Sequence, residues 1–141
     1  MLAAREEIIK YIPQRYPFVA IHEILHATDE FSITQFEVFG ESIFVKNGVL
    51  SEAGLIENIA QTAAAKMGYS CIKKGIPIPI GYIAGIKNLE VFESPVIGKV
   101  LRTSIQVTNR VMDVILVMGE ITSEEKVICR CEMRIFVKSS K

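Results

Sequence analysis

The sequence has no tryptophan, two histidines, three cysteines and no long uninterrupted apolar run. An odd number of cysteines does not indicate a disulfide framework, and Cys71, Cys129 and Cys131 are not spaced like zinc-binding pairs. We interpret them as small core residues and predict no metal site. A membrane-spanning helix needs about 18 consecutive apolar residues, and a signal peptide needs a basic start before its apolar run. Because both patterns are absent, we expect a cytoplasmic protein.

Charge of one sign is not in excess, because 16 lysines and arginines balance 16 aspartates and glutamates. A chain without a net positive field has little long-range attraction for nucleic acid or for an anionic membrane. With 141 residues, half of them hydrophobic, the chain is long enough for one well-packed domain spanning residues 1–141. The abundance of apolar residues also indicates a surface buried against a second copy.

In the N-terminal third, the pattern of apolar and polar residues predicts one short helix followed by two strands. Residues 4–11 have the spacing of an amphipathic helix, whose apolar side carries Ile8, Ile9 and Ile12. Residues 18–30 and 31–40 have strand character and reverse direction at Asp29-Glu30. A turn then follows at Lys46-Asn47-Gly48.

A long helix and four further strands account for the rest of the chain. Ser51 is a favourable N-cap residue and Gly75 a favourable C-cap residue, so we predict a helix from about residue 51 to Lys73 or Lys74. Alternating apolar and polar residues predict strands at 80–92, 99–109, 112–122 and 126–137. This order of elements predicts an α+β fold, with an antiparallel sheet wrapped around one long central helix.

Glu57 and Gln61 are the polar residues of the long helix that could take part in chemistry. They are four residues apart and therefore lie on one face of the helix. That face also carries the small residues Ala53, Gly54 and Ala64, and the opposite face carries Leu55, Ile59 and Met67. A carboxylate in partly apolar surroundings is suited to act as a general acid or base near neutral pH. The alternative is a solvated acidic face near the helix N-terminus.

His22 and His26 are the two histidines, and both lie on the first predicted strand. Their spacing places them on one face of the strand but about 13 Å apart, too far to share a metal ion. His22 is a candidate for proton transfer, and a structural role is the alternative. The sequence has no glycine-rich nucleotide-binding motif and no GxSxG motif, so it indicates no cofactor and no serine nucleophile.

Three stretches carry motifs of a known family: IPQRYPFVAIHEIL (12–25), IENIAQTAA (56–64) and IAGIKNLEVFESPVIGKVL (83–101). In this order they are similar to three motifs of the β-hydroxyacyl-(acyl carrier protein) dehydratases. These motifs are the Pro-x-Arg-Tyr-Pro-Phe opening of the first strand, the Glu-Ala-x-Ala-Gln helix signature and the Ala-Gly-Ile strand. Such dehydratases belong to the hotdog-fold superfamily. The resemblance spans most of the chain and implies a hotdog fold.

The resemblance also implies a site at the start of the central helix. The family's catalytic glutamate corresponds to Glu57, with Gln61 in support, and Glu52 is a rival for the acid position. The family's catalytic histidine has no counterpart, since no histidine follows His26, and His22 is the candidate to replace it. The implied substrate contacts are Gly48, Gly54, Asn58 and Ala64.

Three functions remain open from the resemblance. The first is a dehydratase-like protein acting on 3-hydroxyacyl thioesters of acyl carrier protein or coenzyme A in fatty-acid or polyketide-type lipid synthesis. The others are a thioesterase that uses a helix carboxylate and a non-catalytic partner subunit of an active dehydratase. We expect a homodimer, a dimer of dimers or a hetero-oligomer with a dehydratase. An acidic carrier protein could contact Lys73, Lys74, Lys87 or Lys99.

Overall fold

The computed structural model describes residues 1–138, which form one α-helix, one 3-10 helix and eight strands. The 3-10 helix, Arg5–Lys10, comes first. The other elements are β1 (Glu23–Ala27), β2 (Phe31–Glu37), β3 (Val45–Lys46), β4 (Val49–Leu50), α1 (Glu52–Lys74), β5 (Ile80–Val91), β6 (Val100–Val111), β7 (Val114–Ser123) and β8 (Lys126–Lys138).

Six strands form one sheet in the spatial order β1-β2-β6-β7-β8-β5, and every neighbouring pair is antiparallel. β3 and β4 form a separate hairpin, whose turn residues Asn47 and Gly48 have φ angles of 54° and 76°. Two successive positive φ angles are typical of a type I′ turn, for which Asn-Gly is the favoured pair. α1 packs against the sheet, so the predicted fold of an antiparallel sheet around one long central helix is confirmed.

Local cap chemistry defines both ends of α1. The Ser51 hydroxyl accepts a hydrogen bond of 3.2 Å from the Gly54 N–H, and Gly75 has the left-handed φ of 69° that ends a helix. The predicted boundaries of this helix are therefore confirmed. Its 23 residues extend over about 35 Å at 1.5 Å per residue. Within residues 1–138, no helix is long and apolar enough to cross a membrane.

The main core lies between α1 and the sheet. A methyl group at Gly119 on β7 would lie 2.5 Å from Ile59 Cγ2, so a side chain there would prevent this close helix–sheet contact.

All three cysteines are free and buried, which confirms them as core residues. Burial raises the pKa of Cys129 to about 12 and that of Cys131 to about 11, so both remain protonated thiols at neutral pH.

Two expectations for the N-terminal third were wrong in detail. Ile8 and Ile12 are buried but Ile9 is 47% exposed, because the helix is a short 3-10 segment that ends before Ile12. The first strand spans only Glu23–Ala27 instead of residues 18–30. In its predicted first part, Phe18 and Ala20 bond to side chains of α1, and the His22 N–H donates to the Gln35 carbonyl of β2.

The two edge strands of the sheet differ in whether another segment covers their outer side. The edge strand β1 is covered by the N-terminus, since the N–H groups of Leu2 and Ala3 both donate to the Ile24 carbonyl. The other edge strand, β5, has no strand on its outer side within residues 1–138. Ile80 and Tyr82 on β5 are 52% and 53% exposed. A long apolar edge of this kind is a template for pairing with another chain.

Candidate active site

A cleft of about 630 Å³ lies between α1, the N-terminal segment 9–15 and the start of β5. Most of its lining is apolar, and the charged lining residues are Lys10, Arg15 and Glu57. The full lining comprises Ile9, Lys10, Tyr11, Ile12, Pro13, Gln14, Arg15, Glu57, Ala60, Ala64, Met67, Ile78, Pro79, Ile80, Gly81, Tyr82, Ile83 and Ile135. An apolar cleft with a few polar groups has the composition of a small-molecule binding site.

The helix wall of the cleft consists of Glu57, Ala60, Ala64 and Met67. Glu57 and Ala64 therefore share a face, as the helical spacing predicts. Met67 also lines this wall, so its assignment to the opposite apolar stripe was wrong. Positions 57 and 67 differ by about 80° around the helix axis, as do positions 59 and 67. The spacing alone therefore cannot assign Met67 to either stripe, and packing decides.

Glu57 is half-buried in this wall, and its Oε2 accepts a hydrogen bond of 2.9 Å from Gln61 Nε2. None of the other described lining residues is acidic. Glu52, the rival for the acid position, is exposed in the first turn of α1 and does not line the cleft. The geometry therefore favours Glu57 over Glu52 as the acid of the site.

Gln61 and Asn58 are fully buried and hold the segment that precedes β1. Gln61 Oε1 accepts from the Ala20 N–H at 2.6 Å, and Gln61 Nε2 donates to the Phe18 carbonyl at 3.0 Å as well as to Glu57. Asn58 Nδ2 donates to the Ala20 carbonyl at 2.8 Å, while its Oδ1 accepts from the Thr103 hydroxyl. These amides occupy the backbone groups that a neighbouring strand would otherwise pair. Asn58 lies outside the cleft lining, and we assign it a positioning role.

The two glycines expected to contact substrate lie in the elements around the helix start. Gly48 forms the β3–β4 turn, and its carbonyl accepts from the Ile97 N–H at 3.0 Å. A methyl group at Gly54 would lie 2.6 Å from Leu50 Cδ1 and 2.8 Å from Phe44 Cβ. Gly54 therefore allows the hairpin to pack onto α1, and its N–H is already bound by the Ser51 cap. Neither glycine lines the cleft.

His22 is 8% exposed and packs between Phe36 and Phe39, with ring centroids 4.6 and 5.6 Å away. Its Nδ1 accepts hydrogen bonds of 3.1 Å from the Glu37 N–H and the Arg5 guanidinium. Burial, with a smaller contribution from Arg5, lowers the pKa of His22 to about 4. The imidazole is therefore neutral at neutral pH, and its Nδ1 lone pair is occupied. His22 does not line the cleft, and these contacts favour a structural role.

The four lysines considered for carrier binding differ in their surroundings. Lys74 forms an ion pair of 3.3 Å with Asp29, and Lys99 forms one with Glu124. Lys73 and Lys87 are exposed. Lys66 is buried on α1 and donates to the Asp29 carbonyl at 3.1 Å, and burial lowers the pKa of its ammonium. Neutralised lysines attract an acidic partner less, so Lys73 and Lys87 are the better candidates.

Sequence reasoning missed two of the three cleft walls. Tyr11, Arg15 and Tyr82 belong to segments far from Glu57 in the sequence, and nothing in the periodicity of either segment indicates that they converge. The available signal was the family resemblance, because the first motif contains the lining residues 12–15 and the third motif begins at the lining residue Ile83. Contacts between distant segments depend on tertiary packing, which local patterns do not encode.

Curated dehydratases resemble the chain over most of its length. It is 27% identical over 137 residues to the 3-hydroxyacyl-[acyl-carrier-protein] dehydratase FabZ of a Shewanella species, covering 90% of this chain and 87% of that protein. It is 28% identical over 136 residues to the FabZ of Aromatoleum aromaticum, covering 87% and 93%. This chain has no histidine after position 26, and no histidine is among the described residues that line the cleft.

Solved structures share the fold. The dehydratase heterocomplex ApeI:P from Xenorhabdus doucetiae matches with a TM-score of 0.86 at 19% identity, covering 94% of this chain and 91% of that chain. A hypothetical thioesterase with coenzyme A from Streptococcus pneumoniae matches with a TM-score of 0.66 at 16% identity, covering 83% and 85%. At these identities the likeness establishes the hotdog fold.

The family of the chain follows from a match along nearly all of its length. The model of the ApeP-like family, described as ApeP dehydratase, matches residues 6–141. The matched region includes every strand, the central helix and the cleft with Glu57. The chain is therefore a dehydratase-like hotdog protein that belongs to the ApeP-like family.

Proposed function

We propose that the protein is a dehydratase-type subunit that binds 3-hydroxyacyl thioesters in the cleft and uses Glu57 for proton transfer. The observation that carries this proposal is that Glu57 is the only carboxylate among the described residues lining a largely apolar cleft. The similarity to dehydratases named for acyl-carrier-protein thioesters supports the substrate class. Coenzyme A, named for the thioesterase neighbour, is the alternative carrier of the acyl group.

The chemistry assigned to Glu57 is one half of a β-elimination. Dehydration breaks the C2–H and C3–O bonds of the substrate, forms the C2–C3 double bond and releases water. The Glu57 carboxylate takes the C2 proton, and Gln61 keeps that carboxylate oriented through its bond of 2.9 Å. Gln61 is itself held by Phe18 and Ala20, so the orientation is built into the fold.

The second proton, which leaves with the C3 hydroxyl, is proposed to come from a partner subunit. None of the described lining residues is a histidine. The Nδ1 atom of His22 already accepts hydrogen bonds from the Glu37 N–H and the Arg5 guanidinium. The uncovered edge of β5 offers a route for pairing with a second hotdog chain. The neighbour described as a dehydratase heterocomplex supports a second dehydratase subunit as that chain, and we propose that this subunit carries the histidine. A homo-oligomer is the alternative assembly, and the cytoplasmic location stays a prediction.

Thioester hydrolysis is the second candidate function. In that reaction Glu57 would activate a water molecule that attacks the thioester carbonyl, and the thiol would leave with a proton. A single carboxylate is enough for this step, and a structural neighbour is described as a thioesterase. The two functions differ in product, because dehydration gives an enoyl thioester and hydrolysis gives a free thiol.

The decisive experiment measures both products with purified protein, alone and mixed with a histidine-bearing dehydratase of the same fold. Substrates are 3-hydroxyacyl and saturated acyl thioesters of acyl carrier protein and of coenzyme A. The test variant is Glu57→Gln, and the matched control is Glu52→Gln, which changes an acid of the same helix outside the cleft. Loss of a proton-transfer group lowers the rate by about 10²–10⁴-fold.

Enoyl formation that Glu57→Gln reduces and Glu52→Gln leaves unchanged would support the dehydratase proposal. Thiol release with the same dependence would replace it with the thioesterase. Enoyl formation only in the mixture, unaffected by Glu57→Gln, would make this chain a non-catalytic subunit. Activity that depends on Glu52 would overturn the assignment of the acid.

A further inference from the structure

Both backbone polar groups of Ala20 bond to side chains of α1. The Ala20 N–H donates to Gln61 Oε1 at 2.6 Å, and the Ala20 carbonyl accepts from Asn58 Nδ2 at 2.8 Å. Asn58 and Gln61 are three positions apart and therefore lie on one face of the helix. Ala20 is fully buried, so neither of its backbone groups can turn to solvent instead. The two side-chain amides thus determine where the backbone at Ala20 lies.

The backbone of Ala20 also determines which way each amide faces. A carbonyl can only accept, so Asn58 turns Nδ2 toward it and Oδ1 toward the Thr103 hydroxyl. A backbone N–H can only donate, so Gln61 turns Oε1 toward it and Nε2 toward Glu57. These residues form one hydrogen-bond chain, in which every bond donates in the direction from Thr103 through Asn58, Ala20 and Gln61 to Glu57.

The last bond of this hydrogen-bond chain reaches the candidate reacting group. Gln61 Nε2 donates to Glu57 Oε2 at 2.9 Å, while Glu57 Oε1 accepts no hydrogen bond within residues 1–138. One carboxylate oxygen is therefore held and the other is available for a proton. Asn58 and Thr103 do not line the cleft, so any effect they have on Glu57 passes through Ala20 and Gln61.

We propose that Asn58 is a positioning residue for Glu57, and that Thr103 fixes the orientation of Asn58. This role rests on the proposed function, because it takes Glu57 as the group that transfers the proton. It is a feature of this chain's own helix, since the Glu-Ala-x-Ala-Gln signature has alanine where this chain has Asn58. An alanine has no amide and cannot connect Ala20 to Thr103.

Two directly paired threonines of the sheet provide a matched comparison. Thr103 on β6 pairs with Thr34 on β2, and both are buried. The Thr103 hydroxyl bonds to Asn58, whereas the Thr34 hydroxyl bonds to the Thr62 hydroxyl at 2.7 Å. Thr103→Val and Thr34→Val therefore remove the same group at neighbouring positions. Only Thr103→Val acts on the hydrogen-bond chain that ends at Glu57.

The first measurement does not depend on turnover. It is the side-chain amide signal of Gln61 in nitrogen–proton correlation spectra of the purified protein, assigned by its absence in Gln61→Leu. A hydrogen bond to a carboxylate is short and strong, so it displaces the signal of the bonded amide proton from that of a free amide. We expect the signal to move toward the free-amide position in Asn58→Ala and Thr103→Val, and to stay in place in Thr34→Val.

The second measurement is turnover of 3-hydroxyacyl thioesters, with the protein alone and with its partner dehydratase. Asn58→Ala and Thr103→Val are expected to lower kcat by up to about 10²-fold, because a misplaced reacting group loses this much. KM should stay unchanged, since neither residue lines the cleft. The double variant Asn58→Ala/Thr103→Val has no unpaired hydroxyl at position 103, so it should regain stability relative to Asn58→Ala without regaining kcat. A residue that only holds the fold would regain both.

A Gln61 signal that moves in Asn58→Ala and Thr103→Val, but not in Thr34→Val, supports the positioning role. A signal that stays in place in folded Asn58→Ala overturns it, and so does an equal displacement in Thr34→Val. If Asn58→Ala does not fold, Thr103→Val, which keeps the shape of the side chain, decides in the same way.

The kinetic outcomes separate this role from the proposed function. A kcat that is unchanged in Asn58→Ala, but lowered in Glu57→Gln, overturns the positioning role while the proposed function stands. A wild-type protein without turnover, alone and with its partner, overturns the proposed function. The Gln61 signal then decides by itself whether Asn58 positions the Glu57 carboxylate.

Discussion

The side-chain amides of Gln61 and Gln14 differ in whether their hydrogen-bonding atoms have partners. Gln61 is fully buried, and its amide is bound by Ala20, Phe18 and Glu57. Gln14 lines the cleft, and its Oε1 is buried without a hydrogen-bond partner. An unsatisfied buried polar atom is unfavourable, and replacing a satisfied one leaves its former partners unpaired. The same substitution should therefore have different effects at the two positions.

We expect Gln61→Leu to lower the free energy of unfolding by about 2–3 kcal/mol, because Ala20 and Phe18 lose their partner. Gln14→Leu removes an unpaired acceptor and should change it by less than about 1 kcal/mol, in either direction. Urea unfolding followed by circular dichroism measures both variants. Equal losses of stability would contradict the hydrogen-bond assignment of Gln61.

His22 should make stability depend on pH in the acidic range. Its pKa is lowered from 6.5 to about 4 in the folded protein, so the unfolded chain binds a proton at higher pH than the folded chain. Lowering the pH from 6.5 to 4 therefore favours unfolding, and the contribution of His22 is fully present only above pH 6.5. The difference corresponds to about 3 kcal/mol.

The measurement is the free energy of unfolding at intervals between pH 7 and 4, for wild type and for His22→Asn. The asparagine oxygen can accept a hydrogen bond but does not titrate, so this variant should lose most of the slope. His26→Gln is the control, because His26 is exposed on β1, whereas the buried His22 precedes that strand. An unchanged slope in His22→Asn would contradict the role of the buried neutral imidazole.

At the scale of elements, the contact between α1 and the N-terminal segment depends on Gly68. A methyl group there would lie 2.1 Å from a backbone oxygen of Tyr11, which cannot rotate away as a side chain could. We expect Gly68→Ala to lower the free energy of unfolding by about 2 kcal/mol, despite the better helix propensity of alanine. Thermal unfolding measures the effect.

Gly85→Ala is the matched control for that substitution, since a methyl group at Gly85 meets only Arg134 Cδ at 4.0 Å. A stabilised Gly68→Ala would mean that helix propensity outweighs the contact, and that the segment moves without loss. The Tyr11–Tyr69 ring pair would then also be expected to change, because Tyr11 lies in the same contact.

Elements with local signals could be predicted from the sequence, and elements defined by distant contacts could not. Ser51 and Gly75 define α1 because capping involves residues a few positions apart. β1 is shorter than its strand pattern because Asn58 and Gln61, which lie about 40 positions later, bind the backbone around Ala20. β3 and β4 have two residues each, too few to produce a period, although their Asn47-Gly48 turn was visible.

At the scale of the whole molecule, the uncovered edge of β5 predicts association. The double variant Ile80→Lys/Tyr82→Lys places two charges on this edge and should weaken association of the protein about tenfold or more. Met112→Lys is the control, because Met112 is 98% exposed and lies between β6 and β7. Sedimentation velocity over a range of concentrations gives the association constants. A wild-type protein that remains monomeric, alone and with its proposed partner, would contradict the role of β5.

The candidate site could be predicted only in part, and the reason lies at this same scale. Glu57 and Gln61 follow from one helix signature, and their proximity follows from helical geometry. The rest of the cleft does not follow from any local pattern, because it forms where the N-terminal segment and the start of β5 approach α1 from distant parts of the chain. Asn58 has a polar side chain of the kind found in binding sites, but its amide is bonded to Ala20 and Thr103 and holds the fold together.

The unequal edges of the sheet determine how many subunits can join. Within residues 1–138, Leu2 and Ala3 bond to Ile24 on the outer side of β1, whereas β5 has no strand on its outer side, so we expect a second chain to add strands at β5. When two such chains pair through β5, the outer ends of the combined sheet are the two β1 strands, and each of these is covered at Ile24 by the N-terminal residues. Growth by strand addition is then self-limiting. By covering part of the β1 edge, the N-terminal residues thus favour a closed dimer over an open-ended fibre.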